Sequence, residues 1–309
     1  MSPSTPLIYA TRRSPLALIQ CRTFVERLRG LAASSSDTTG ALELEELQVI
    51  TSGDRIQDRS LSDVGGKGLF VKEIEEALLA HRADFAVHSM KDLPAELPPG
   101  LVVACIPERH DARDVLIAPS YGSLEALPQG ARVGTGSLRR LIALKRHRPD
   151  LRVESVRGNV DTRLRKVDVG DYDAVVLARA GLVRLGLEHR ISQVLSPDLC
   201  LPAVGQGALA IECRQDDTRT RTLLALAHHV VTATCVAAER GVLAAIGGDC
   251  KTPLAAYAEL VAGFLRLRGF LARPDGSSPG SIERTVPWPA SEDEAHRLGR
   301  AAGLDLRGA

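Results

Sequence analysis

The run at residues 84–94 ends a short apolar stretch in a lysine–aspartate pair, Lys91 and Asp92, followed by Leu93 and Pro94. A carboxylate delivered from a strand end into a loop can move a proton or steady a developing positive charge. For an arbitrary Lys-Asp pair the default is a surface ion pair of little consequence. Its setting favours chemistry, because open α/β sheets place ligands just beyond the carboxyl ends of their strands.

A second concentration of chemistry is basic. Residues 131–166 hold eleven Lys/Arg against three acids, although the whole chain is nearly balanced at a formal net charge of +1. Within this block Gly134-Thr135-Gly136-Ser137 forms a small-residue turn ahead of Arg139 and Arg140. At such a helix start, unpaired N–H groups and the positive dipole end favour anions. Arg157, Gly158 and Asn159 mark a second strand-to-helix turn, with Arg163 one turn into the next helix and Arg184 beyond the following strand. Guanidinium binds carboxylates through paired hydrogen bonds and keeps its charge when partly buried. Singly, each arginine reads as a solvated surface residue. Repetition at successive turns predicts a ligand carrying several carboxylates.

The third signal is Cys250, which follows Gly247, Gly248 and Asp249 and can be presented outward from a loop. Thiolate is a soft nucleophile whose attack on an electrophilic carbon leaves a stable thioether. Cys21, Cys105, Cys200, Cys213 and Cys235 are expected to be inert packing residues. No C-x-x-C pair or cysteine–histidine spacing suggests a metal, and free thiols fit a reducing cytosol. Nucleotide motifs fail. Arg139 stands where a dinucleotide fingerprint needs its third glycine, and residues 61–68 lack the first glycine and last Ser/Thr of a P-loop. Ser89 and Lys91, two residues apart at a strand end, do not make a serine–lysine hydrolase.

These residues need elements to hold them. Phe70, Ile74, Ala77 and Leu78 recur at helical spacing ahead of the 84–94 run. Residues 8–10 predict a strand, and Ser14-Pro15 opens a helix with Leu16, Ile19 and Leu28 among its apolar positions. Residues 33–40 read as a surface loop, 47–50 as a strand, and the glycine-rich 51–68 as a lid. After a crossover at 107–113 the pattern resumes with a strand ending at 132–133, a helix at 137–148 and a strand at 151–156. A helix at 160–167, a strand at 172–177 and the 182–187 segment complete it. Strand–helix alternation argues parallel sheets. Residues 208–212 predict a strand returning to the first domain; a helix at 234–246 and a hairpin around Gly263 then suggest a small α+β domain. The expected division is residues 1–107 with 208–226, residues 113–201, and residues 230–309. With 3% aromatic residues and almost no net charge, nucleic-acid binding is not expected. Arg12-Arg13 precedes Pro15 and Arg22 rather than a long apolar run, so neither signal peptide nor membrane span is expected, and we expect a soluble cytoplasmic monomer.

In ordered motifs over nearly its whole length the chain resembles the hydroxymethylbilane synthase (porphobilinogen deaminase) family. The matching segments are residues 10–17, 65–70, 86–92, 134–140, 157–159 and 201–208, with the Cys250 loop. The resemblance implies an α/β fold of two periplasmic-binding-protein-like domains with parallel-rich sheets and a cleft between them, plus a small domain bearing the cysteine. It implies an enzyme that joins four porphobilinogen molecules head to tail, releasing ammonia at each step, and hydrolyses off hydroxymethylbilane. It implies a dipyrromethane cofactor held covalently by Cys250, with Asp92 as the catalytic carboxylate and no metal. By motif position Lys91, Ser137, Arg139, Arg140, Arg157, Gly158, Arg163 and Arg184 would hold the cofactor. Arg12, Ser14, Lys67, Arg157 and Arg163 would hold substrate carboxylates. The chain departs from the family pattern at Asp63, where lysine is usual, and at Gly136, where serine is common. The alternative function is a non-catalytic two-lobed protein that closes on a polycarboxylate.

Overall fold

A computed structural model describes residues 6–34, 42–55, 70–247 and 252–308. The chain runs through β1 (Leu7–Arg12), α1 (Pro15–Ser34), β2 (Leu44–Val49), α2 (Ser52–Arg55), α3 (Lys72–Leu79), β3 (Phe85–Ser89) and β4 (Leu101–Cys105). Next come β5 (Asp114–Ile117), β6 (Arg132–Gly134), α4 (Leu138–His147), β7 (Arg152–Glu154), α5 (Val160–Asp168), β8 (Ala174–Ala178), α6 (Arg179–Arg184) and β9 (Gln193–Val194). It continues through β10 (Leu209–Arg214), α7 (Thr218–Ala225), α8 (Val230–Ile246), β11 (Leu254–Val261), β12 (Phe264–Leu271), β13 (Gly280–Pro287) and α9 (Glu292–Gly308).

Two compact units result: Met1–Arg109 with Ala208–Ala233, and His110–Gly207 with Thr234–Ala309. Each contains a five-stranded sheet of the same plan. In the first unit the order is β2-β1-β3-β10-β4, and in the second it is β7-β6-β8-β5-β9. Three neighbouring strands are parallel in each, and the fourth, β10 or β5, runs antiparallel to both its neighbours. Helix–strand alternation therefore foretold parallel-rich sheets but not this reversal. β10 and β5 each follow directly after the chain passes from the other unit, so neither has a βα crossover to make it parallel.

In the first unit the apolar face of α1 (Cys21, Phe24, Val25, Leu28, Ala32) covers the sheet, with Phe85 stacked near Tyr9 and edge-on to Phe24. Leu28 lies on this face as expected, but Ile19 is 37% exposed. Nine residues at about 100° each put Ile19 on the side of the helix opposite Leu28. In the second unit Leu116, Val133, Leu144, Leu151 and Val176 form a core on one face of the sheet, and Val115, Ile117, Val175 and Leu182 form one on the other. A three-stranded antiparallel sheet, β11-β12-β13, belongs to the same unit. Its helices α8 and α9 approach closely through glycine: a Cβ on Gly299 would lie 1.9 Å from the Ala238 carbonyl oxygen. The five described cysteines are buried and none is in a disulfide. Among the described residues no single helix is long and apolar enough to cross a membrane.

Candidate active site

Strand β3 is buried along Phe85, Ala86, Val87 and His88, and it passes at Ser89 into a single 3-10 turn, Met90–Asp92. Two apolar anchors fix that turn. Met90 is 1% exposed and donates its N–H to Ala208 O (3.1 Å); Leu93 is 3% exposed and donates to Met90 O (3.2 Å). Between the anchors, Lys91 and Asp92 are left exposed. The Ser89 hydroxyl bonds to Gln20 Oε1 on α1 (3.2 Å). Strands β1 and β3 are parallel neighbours, so Arg12 leaves the sheet by the same carboxyl edge as the Lys91-Asp92 turn. The Arg12 guanidinium stacks 4.1 Å above the Phe70 ring, a cation–π contact that orients it. Ser14 starts α1, its Oγ accepting the Ala17 N–H (3.3 Å). Lys67, Asp63 and Cys250, like most of the expected lid and most of the 33–40 loop, lie outside the described residues.

Behind the turn is a buried group that the sequence reading missed. His88 Nε2 lies 3.0 Å from Glu212 Oε2, with both side chains almost wholly enclosed, and buried Glu75 of α3 joins them. Burial, then the Glu212 charge, pushes the Glu75 carboxyl up to about 6. The available signal was Glu212 itself, an acid inside the apolar run of β10.

In the second unit β6 ends in Gly134 and the turn delivers Ser137 to the start of α4. Ser137 has extended backbone angles and makes no side-chain cap, which leaves its hydroxyl available as a donor; its own N–H bonds to Thr135 Oγ1 (3.2 Å). A Cβ at Gly136 would meet Val156 O at 3.3 Å, so serine there would be tight. Arg139 and Arg140 are 5% and 6% exposed, and both face Asp114 at the start of β5. Arg139 Nη1 reaches Asp114 Oδ2 (2.8 Å) and Leu201 O (2.5 Å); Arg140 reaches Asp114 Oδ1 through Nη2 (2.7 Å) and Nε (3.1 Å). Burial of Asp114 opposes its ionisation, but the two guanidiniums outweigh it and hold the carboxyl well below the usual range.

The next two turns differ. Gly158 has φ +99°, and a Cβ there would sit 2.6 Å from Thr162 Cβ, so the turn that follows half-buried Arg157 needs glycine. Arg163 donates Nε to Gly158 O (2.8 Å), and Arg184 donates Nη2 to Gly207 O (2.8 Å). Neither has a carboxylate among its electrostatic neighbours in the described residues. Burial, with the Arg140 charge added, lowers Arg163 to about 10; burial alone lowers Arg184 to about 10. Partly buried cations supported only by carbonyl oxygens suit an anionic ligand. Asp114, Cys200 and Gln206, which complete the Arg139–Arg140 cluster, were not singled out for it from sequence. Among the described residues no group of three or more His, Cys, Asp or Glu could hold a metal ion.

Comparison with known proteins agrees across the chain. Residues 7–222 match the family described as porphobilinogen deaminase, dipyromethane cofactor binding domain, and residues 233–308 match its C-terminal domain. A porphobilinogen deaminase of Sorangium cellulosum is 58% identical over 303 residues, covering 98% of this chain and 99% of the relative. Among solved structures, the periplasmic VFT2 domain of Bordetella pertussis BvgS aligns with TM-score 0.40 and 16% identity over 71% of this chain and 86% of that one. A YaeC-family lipoprotein from Enterococcus faecalis aligns with TM-score 0.43 and 15% identity, over 72% and 90%. With both family domains matched in order and a close relative covered end to end, the chain belongs to the porphobilinogen deaminase family.

Proposed function

We propose that this chain is a hydroxymethylbilane synthase that polymerises porphobilinogen, with release of ammonia, in tetrapyrrole biosynthesis. The observation that carries the reading is the 58% identity to a porphobilinogen deaminase over nearly the full length of both chains. Loss of ammonia leaves positive charge on the pyrrole, and the exposed carboxylate of Asp92 stabilises that charge and accepts pyrrole N–H bonds. The same carboxylate serves as the proton carrier, since its turn is fixed by Met90 and Leu93 while Asp92 itself is exposed. Lys91, beside it, assists in binding acids.

The residues of this chain fit a dipyrromethane cofactor, a polycarboxylate, because Arg163 and Arg184 are partly buried guanidiniums with no carboxylate partner among the described residues. When bound, that group supplies the covalent primer from which the chain grows. Arg157, Gly158, Arg163, Arg184 and Ser137 hold its acid groups, with Arg139 and Arg140 adding charge beneath them; Arg12, Ser14, Lys67, Arg157 and Arg163 receive substrate acids. Cys250 is the attachment point. Five described thiols outside any disulfide support a reducing compartment, the cytoplasm; one chain acts alone.

Intact-mass measurement of the purified protein tests the reading. The wild type should weigh more than its amino acids by one dipyrromethane, and Cys250→Ser should not. Asp92→Asn should keep fold and adduct while product formation collapses by two orders of magnitude or more, on the order expected for a lost charge-stabilising group. A bare wild-type chain that stays bare when given porphobilinogen sinks the proposal.

A further inference from the structure

Asp114 lies at the centre of the buried polar cluster that contains Arg139 and Arg140, and the proposed chemistry gives Asp114 itself no part. Its carboxylate is 0% exposed and receives five contacts. Arg139 Nη1 and the Cys200 thiol meet Oδ2 at 2.8 and 3.2 Å. Arg140 Nε and Nη2 and Gln206 Nε2 meet Oδ1 at 3.1, 2.7 and 2.8 Å. Each guanidinium has a further anchor, Arg139 on Leu201 O (2.5 Å) and Arg140 on Val176 O (3.0 Å). Gln206 also donates to Ala112 O at 2.6 Å. The neighbouring Gly205 N–H bonds to Glu239 Oε2 (2.7 Å), whose other oxygen accepts from Ala258 N (2.9 Å). The segment that carries Gln206 is thus fastened to α8, the helix that ends four residues before Cys250 in sequence.

Two guanidiniums against one carboxylate leave one positive charge. A carboxylate that served only to neutralise buried charge would leave the pair free to rotate about its long side chains. Five contacts from four residues, Arg139, Arg140, Cys200 and Gln206, converge on one group and remove that freedom. We propose that Asp114 is the positioning residue of the arginine site: it holds Arg139 and Arg140 in one orientation, so that their remaining charge meets a ligand carboxylate at a preset place. This deepens the reading above and rests on it.

The sign of one substitution separates positioning from simple charge. Asp114→Asn raises the net charge of the cluster from one to two. If attraction alone governed binding, a polycarboxylate would bind tighter; if orientation governs it, binding weakens. Three readouts apply: the fraction of protein carrying the covalent adduct by intact mass, KM and kcat for porphobilinogen on the loaded fraction, and calorimetric binding of citrate to the adduct-free Cys250→Ser protein. Asp114→Asn, and Asp114→Glu with its charge kept but displaced, should lower the loaded fraction. Each should also raise KM and weaken citrate about tenfold, the cost of roughly one charge-assisted hydrogen bond, with kcat changed less than about twofold. Leu151→Ala, a core change in the same unit, supplies a protein of reduced stability that should load and bind normally. Should neither Asp114 variant fold, Gln206→Leu carries the test, removing one donor to Oδ1 and raising KM about threefold. Tighter or unchanged citrate binding and normal loading in Asp114→Asn, or in Gln206→Leu when it stands in, overturns the assignment. A wild-type protein that neither loads nor turns over overturns the functional reading beneath it instead.

Discussion

Arg139 and Arg140 are buried against a carboxylate that the fold supplies, whereas Arg163 and Arg184 are partly buried with carbonyl oxygens as their described partners. Both pairs stand at the carboxyl side of the second sheet's strands or one helical turn beyond, and both come from one basic stretch of sequence or its continuation. One unit can in this way carry several cations for a polyacid. Four unpaired guanidiniums would repel one another and resist desolvation. Pairing two of them with Asp114 makes them part of the framework, and the energetic burden of the waiting site falls on the other two.

The largest consequence falls on the paired set. Removing Arg140 leaves Asp114 balanced by Arg139 but strips two charge-assisted hydrogen bonds from its buried carboxylate, which together cost about 3–5 kcal/mol. Arg140→Met should lower the unfolding free energy of the adduct-free Cys250→Ser protein by about that much in urea titrations. Arg140 bonds Asp114 twice and Val176 once, so a loss under about 1 kcal/mol would mean that Asp114 does not depend on it and would dissolve the contrast.

For the unpaired set the sign reverses. An arginine lowered from its ordinary value to about 10 is penalised in the folded state wherever it is charged, in full below about pH 10. The shift corresponds to about 3 kcal/mol at neutral pH. Arg184→Met should therefore stabilise the adduct-free protein at pH 7, by about 2 kcal/mol once the lost Gly207 hydrogen bond is subtracted, and the same change should cut cofactor loading. Loss of stability on a scale like that of Arg140→Met would show that Arg184 has a counter-ion after all.

This division could not be read from the chain. The basic turns were legible because glycine, serine and arginine cluster where strands pass into helices, and Asp92 was legible because a five-residue apolar strand stops abruptly at Lys91 and Asp92. Partnership is another matter. Asp114 precedes Arg140 by 26 residues and Val176 follows it by 36, so the burial of that guanidinium is set by which strands pair, and β5 itself went unread. Its four residues are short for a strand signal and adjoin the charged crossover. Strand β13 escaped for a different reason, since its mostly exposed Gly280–Pro287 segment shows polar residues where a buried strand would show apolar ones. The close meeting of α8 and α9 rests on glycines whose role appears only when the partner helix is in place.

The first unit repeats the contrast with anions, on a smaller scale. Glu212 has His88 at 3.0 Å, while Glu75, 7% exposed, feels Glu212 more than it feels His88 and is raised from 4.5 to about 6. A carboxyl whose folded value is raised stabilises the native state only while it stays protonated. Below about 4.5 it is protonated in both states and costs nothing; between 4.5 and 6 the unfolded chain releases its proton first, and stability falls as pH rises. Above that window the deficit is constant at about 2 kcal/mol. Glu75→Gln, which keeps the shape and removes the titrating proton, should raise stability by up to about 2 kcal/mol at pH 7.5 and by almost nothing at pH 3.5, measured by denaturant titration at both values. If the gain is the same at the two pH values, packing rather than charge explains it, and Glu75 is no counterpart of Arg184. If the gain appears only at the higher pH, the two units share one rule: where a buried charge has no partner in the fold, either a ligand or a proton must answer it, and the enclosed position of Glu75 behind the Asp92 turn leaves it the proton.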